Sequence, residues 1–231
     1  MYTRFKVLGL ALVIAGLAFA AVGGYTYIKT QEGANALHAF SAAQGVELTY
    51  NDQGQLTDRG KTEGAAAIMS LLTKDWGFTV NPADFNPNDP TVNTASEYMY
   101  EMATVAHHTL TGTQTVVLTA PVDYNGKTYA AGSYDVAVNG RYYSQFDRLD
   151  PLDGPAREQA WTGTALGLIG QLGVGSVTAS ALQMGLGIAA ISAALGAVLL
   201  LTGLGVIWAA RPLVAPARAT KVVIAPAAAG A

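Results

Sequence analysis

Residues Met184–Ala210 read MGLGIAAISAALGAVLLLTGLGVIWAA, and these 27 positions carry no charge. A helix needs about 20 apolar residues to cross the hydrocarbon core of a bilayer, so this stretch spans with room for tilt. Trp208 stands where an interfacial aromatic belongs, and Arg211, Arg218 and Lys221 follow. The reading of this segment governs the rest of the chain.

A second apolar run, VLGLALVIAGLAFAAVGG, covers Val7 to Gly24. Its eighteen residues make a helix of about 27 Å, close to the hydrocarbon thickness. Arg4 and Lys6 precede it, and Tyr25 and Tyr27 follow at interfacial level. Basic residues outside both runs place both termini in the cytoplasm and the middle of the chain outside. A rival reading remains open: Ala18-Phe19-Ala20 after a basic start matches a signal-peptidase site. The apolar run continuing to Gly24 favours a retained anchor over cleavage at Ala20.

Composition agrees with this plan. The chain is 51% hydrophobic but only 13% charged, about half the charge of an ordinary soluble domain. All sixteen acidic residues fall between Glu32 and Glu158, with seven basic ones among them, so this interval carries −9. Such a middle is unsuited to nucleic acid, whose phosphates need a basic face. With no cysteine, disulfides, iron–sulfur clusters, thiolate zinc sites and cysteine nucleophiles are excluded.

The expected organisation is a short cytoplasmic start (1–6), a first transmembrane helix (7–28), an α+β extracytoplasmic domain with a small antiparallel sheet (29–160), a Gly-rich juxtamembrane segment (161–183), a second transmembrane helix (184–210) and a disordered cytoplasmic tail (211–231). Within the domain, VELTYNDQGQLTD reads as two short strands around a turn at Asn51–Gly54. EGAAAIMSLLTKDWG has helical periodicity and stops at Gly77. Thr94 and Glu97 form a capping-box pattern opening a helix to Gly112, with Tyr98, Met102, Val105 and Thr109 on one stripe. From Thr113 the period becomes that of strands, with Asn125-Gly126 and Asn139-Gly140 as hairpin-turn dipeptides.

Candidate sites follow from residue type and spacing. His107 and His108 invite a metal reading, with His38 as a third donor. Adjacent helical residues point about 100° apart, whereas helical chelation uses i, i+4, so no metal or other cofactor is expected. Asp147, Asp150 and Asp153 before Gly154 suggest a calcium loop, but lack the alternate-residue ligands and closing Glu of an EF-hand; turn-forming acids are the expectation. Tyr124, Tyr129, Tyr134, Tyr142 and Tyr143 supply either a binding face or ordinary cross-strand packing. Gly185, Ala189, Ala193 and Ala197 recur every four residues, as do Gly16, Ala20 and Gly24, a spacing that lets helices approach closely in lipid. No nucleophile elbow, phosphate loop or dinucleotide fingerprint occurs.

The strings EGAAAIMSLLTKDWG, VNTASEYMYEMAT, HHTLTGTQTVVL, GPAREQAWTGTALGLI and LGVGSVTASALQMGLG resemble those of a group of uncharacterised actinobacterial membrane proteins with two spans around an external domain. The resemblance implies that topology. Some of the group are labelled aromatic ring-opening dioxygenase, which implies a non-haem iron held by two histidines and a carboxylate; with only His38, His107 and His108 present, the activity is not carried over. The expected function is non-catalytic: an accessory or scaffold subunit, or a homo-oligomer, whose partners are the bilayer and a membrane protein or a second copy. The alternatives are an external sensor of a small ligand and, more remotely, a metal-dependent enzyme.

Overall fold

The computed structural model describes residues 2–210; the expected cytoplasmic tail, with Arg211, Arg218 and Lys221, lies outside the described residues. Two long apolar helices flank a small α+β domain. Helix α1 covers Tyr2–Gln44 and α5 covers Gly163–Ala209. Between them lie β1 (Thr49–Tyr50), β2 (Leu56–Thr57), α2 (Thr62–Ser70), α3 (Ala95–Leu110), β3 (Thr113–Leu118), β4 (Val122–Tyr124), β5 (Lys127–Tyr129), β6 (Gly132–Ala137) and α4 (Asp153–Ala160). The described residues divide into two compact units, one holding 2–26 and 188–210, the other Tyr27–Gly187.

In the first unit, α1 and α5 pack antiparallel through backbone-to-backbone contact. Gly9, Gly16 and Gly23 face Gly203, Gly196 and Ala189 in turn: a Cβ built on Gly16 would lie 2.8 Å from the Gly196 carbonyl oxygen, and one on Gly23 would lie 3.0 Å from that of Ala189. These positions repeat every seven residues, the period that keeps a seam facing its partner along two helices. Gly16, Ala20, Ala189 and Ala193 lie at this contact; Gly24 has nothing within 4 Å, and Ala197 is exposed. The outer faces remain bare, with Ile14, Leu17, Val198 and Leu201 all more than half exposed. Both helices are long and apolar enough to cross a membrane, and only 17% and 11% of their most apolar stretches is buried. A core helix of a water-soluble protein would bury most of that surface.

In the second unit, α1 and α5 pack again: Gly185 sits against Thr30, and Gly33 against Leu182. The expected separate segment 161–183 is instead the first half of α5, one uninterrupted helix. Glycine costs a helix roughly 1 kcal/mol relative to alanine, but here tertiary contact favours it. Leu172, Ser176 and Ala179 recur at helical spacing and are buried against the domain, and the Ser176 hydroxyl donates to the Ala95 carbonyl at 3.1 Å.

The domain core gathers Ile68, Leu72, Ala103, Val138 and Ala156, each with no exposure. Its strands form three separate two-stranded antiparallel pairs, β1–β2, β3–β6 and β4–β5, in place of one small sheet. Val116, opposite Tyr134, is the buried residue of β3, and Val117 beside it is exposed, as alternation requires. Asn125 and Gly126 adopt left-handed angles (φ 49° and 76°) and close the β4–β5 hairpin. Asn139 and Gly140 share those angles but close no hairpin: the Gly140 amide donates to Leu110, and the chain leaves the sheet. Helix α3 opens with both halves of its capping box, Thr94 and Glu97. Of the expected stripe Tyr98 is buried, while Met102, Val105 and Thr109 are half-buried; Tyr100, Ala103, Ala106 and Leu110 are buried beside it.

Candidate functional site

An apolar cavity belongs to the Tyr27–Gly187 unit. It encloses about 410 Å³ between the last turns of α1, the Val46 and Val92 segments, Tyr98 of α3 and the first half of α5. Its geometry depends on Gly175: a Cβ there would come within 2.5 Å of the Tyr98 ring, so the glycine lets that ring lie against α5. The Ser41 hydroxyl donates to the Leu37 carbonyl at 2.9 Å and lies 2.7 Å from the Tyr98 hydroxyl. Because the single Ser41 proton goes to Leu37, Tyr98 donates to Ser41. Gln171 donates to Gln44 at 3.3 Å. Thr178 donates to the Val174 carbonyl at 2.8 Å, and most of the remaining wall is apolar. Among the lining residues Phe40 and Val174 are 48% and 68% exposed.

A second groove, of about 380 Å³, holds both tryptophans of the unit with Tyr142, Tyr143 and Ile169. Tyr142 stacks on Trp161 (centroids 5.7 Å apart) and accepts a 2.8 Å bond from Trp76 Nε1. Trp161 Nε1 donates to the Arg141 carbonyl at 3.1 Å. The Arg157 guanidinium lies over the Tyr143 ring, 4.5 Å from its centroid.

The remaining tyrosines are dispersed. Tyr124 donates to Asp147 at 2.8 Å, Tyr129 to Asp150 at 3.0 Å and Tyr134 to the Ala130 carbonyl at 2.8 Å. The structure thus brings Tyr142 and Tyr143 to one groove and turns Tyr124 and Tyr129 toward the acidic loop. The bonds to Asp147 and Asp150 push both phenols up from their ordinary range.

The three aspartates face different partners. Asp147 accepts from the Leu149 amide and Tyr124, which hold its carboxyl below the usual range. Burial pushes Asp150 up, but the amides of Asp153 and Leu152, with Tyr129 and Lys127, outweigh it and leave the carboxyl low. Asp153 pairs with Arg141 at 2.8 Å.

His107 and His108 lie with ring centroids 6.0 Å apart on α3. His108 Nε2 is 3.0 Å from both carboxylate oxygens of Asp58. Burial and the neighbouring His108 push His107 down from its ordinary value, with Asp58 opposing. His38 is exposed on α1. Among the described residues no three His, Asp or Glu side chains are placed to share a metal ion.

Sequence reasoning did not single out the 410 Å³ cavity or the Ser41–Tyr98 bond. The available signal was the run of small residues Gly173, Gly175 and Ser176 outside the apolar span. Gly9, Gly23, Gly196 and Gly203 were legible at a spacing of seven and missed at four. No family model, curated protein or solved structure matches the chain.

Proposed function

We propose that this chain is an integral membrane protein with two spans and both termini in the cytoplasm, and that its Tyr27–Gly187 unit works outside the membrane by binding, as an accessory or scaffold subunit. The glycines of α1 that face α5 support a retained first span, since cleavage at Ala20 would remove Gly9 and Gly16 from that contact. The observation that carries the binding reading is the 410 Å³ cavity. Its hydroxyls are spent on bonds within the chain, and Phe40 and Val174 are exposed apolar side chains of its lining, the composition of an interface core more than of a polar ligand's pocket. An apolar segment of a partner membrane protein seated there would cover Phe40 and Val174 together.

The volume also lies within the ~300–1,000 Å³ of small-molecule sites, which favours an apolar ligand as the second reading. Full-length protein purified in mild detergent and weighed intact by native mass spectrometry separates the two. A stoichiometric partner chain, lost in Val174→Asp, is the expected result. A lone chain carrying a small apolar molecule would replace it with the second reading, and a lone, empty chain would overturn both. Because the chain has no cysteine, single cysteines at Ser133 and Ala219 report topology: only the first is expected to react with an impermeant reagent on intact cells.

A further inference from the structure

A polar depression of about 200 Å³ lies between β1, β2 and α3, away from the apolar cavity. Its lip is a tight turn in which Asp58 and Lys61 exchange both backbone bonds at 2.9 Å. Arg59 and Gly60 take left-handed angles there (φ 48° and 76°), a conformation that an arginine adopts at some cost. The turn directs the Asp58 side chain inward. Gly64 makes room for it, since a Cβ at that position would lie 3.0 Å from Asp58 Oδ2.

On the opposite wall, α3 supplies Tyr100, Glu101 and Thr104. Two threonine hydroxyls around the depression are already committed: Thr104 donates to the Tyr100 carbonyl at 3.0 Å, and Thr49 on β1 to the Thr57 carbonyl at 2.6 Å. Asp58 is held by His108, but the Glu101 carboxylate is not committed. Glu101 is half-buried, and burial is the largest influence on its carboxyl, raising its pKa above the ordinary value; no hydrogen bond offsets it. Tyr100 is 3% exposed, lines the depression, and its buried hydroxyl has no partner. Burial first, and then the charges of Asp58 and Glu101, push that hydroxyl's pKa up. Glu47 adds a third carboxylate at the edge, against the exposed Arg59 and the His108 that holds Asp58.

A site with carboxylates and an orphaned phenol but few free donors complements a ligand that is cationic and rich in N–H groups. The described residues place no three such side chains around a metal ion, and the acids repel anions. We propose that this depression binds a small organic ammonium ion, its N–H groups donating to Glu101, Asp58 and the Tyr100 hydroxyl. This site is independent of the apolar cavity and of any partner seated there.

Backbone amide spectra of the full-length chain in detergent micelles, titrated with ethylammonium, test the proposal. Saturable shifts confined to Arg59, Gly60, Glu101 and Thr104 are expected, with none from sodium or propionate at equal ionic strength. Glu101→Gln should weaken binding by about tenfold or more, the loss of one charge-assisted bond, without moving amides elsewhere. As the pH falls and Glu101 takes up a proton, wild-type affinity should fall likewise. Absence of saturable shifts through the millimolar range would overturn the proposal, as would binding that Glu101→Gln leaves intact or that propionate matches.

Discussion

The Tyr98 hydroxyl lies 2.7 Å from that of Ser41, tying α3 to the last turns of α1 through a buried bond. The two partners are unequal. Ser41→Ala strands a buried phenol and is expected to cost about 1–3 kcal/mol, whereas Tyr98→Phe leaves Ser41 bonded to Leu37 and should cost about 0.5–1.5 kcal/mol. Gly175→Ala drives a methyl into the Tyr98 ring and should lower the melting temperature more than either. Thermal unfolding of the full chain in detergent, read by near-ultraviolet circular dichroism, ranks the three.

The start of α3 rests on Glu97, which is 1% exposed yet accepts bonds from the Asn93 amide (3.0 Å), the Thr94 amide (2.9 Å) and the Thr94 hydroxyl (2.9 Å). Thr94→Ala is expected to cost about 1 kcal/mol, the usual value of an N-cap. Glu97→Ala removes the acceptor of two partly buried amides and of the Thr94 hydroxyl, and should be the more damaging variant in the same measurement.

Glu101 gives stability a dependence on pH. Burial raises its folded pKa above the unfolded value, so between the two the folded chain keeps a proton that the unfolded chain has lost. Stability from this group is present below the ordinary glutamate value of about 4.3 and is lost as pH rises through the folded pKa. Glu101→Gln has no proton to lose. It should therefore melt higher than wild type at neutral pH, and the gap should close as the solution is acidified.

Within the first unit, Gly16→Leu should separate α1 from α5, because its first side-chain atom would lie 2.7 Å from the Leu200 amide nitrogen. Gly24→Leu meets nothing within 4 Å and should be tolerated. Melting in detergent compares them; equal losses would contradict the seven-residue seam.

Much of the fold is legible along the chain wherever its cause is local. The capping box at Thr94 and Glu97, the left-handed Asn125-Gly126 turn and the turn at Asn51–Gly54 each depend on a few adjacent residues, and each forms where the sequence places it. Asn139-Gly140 has the same local geometry and no hairpin, because a hairpin also needs a following strand, and Tyr142 turns instead to Trp161. The glycines of α5 were ambiguous for a related reason. Propensity counts them against a helix, while their value lies in what approaches them, Tyr98 at Gly175 and Thr30 at Gly185.

The sequence by itself determined the two apolar helices, the acidic α+β middle and its helix starts and turns, since length, hydropathy and capping act over one or two turns of chain. Only the tertiary structure decided that residues 163–209 make one helix, that Ser41 meets Tyr98 across 57 positions, and that Asp58 and Glu101 share one depression. Those pairings depend on which surfaces remain complementary once the core has closed, and no local pattern encodes that.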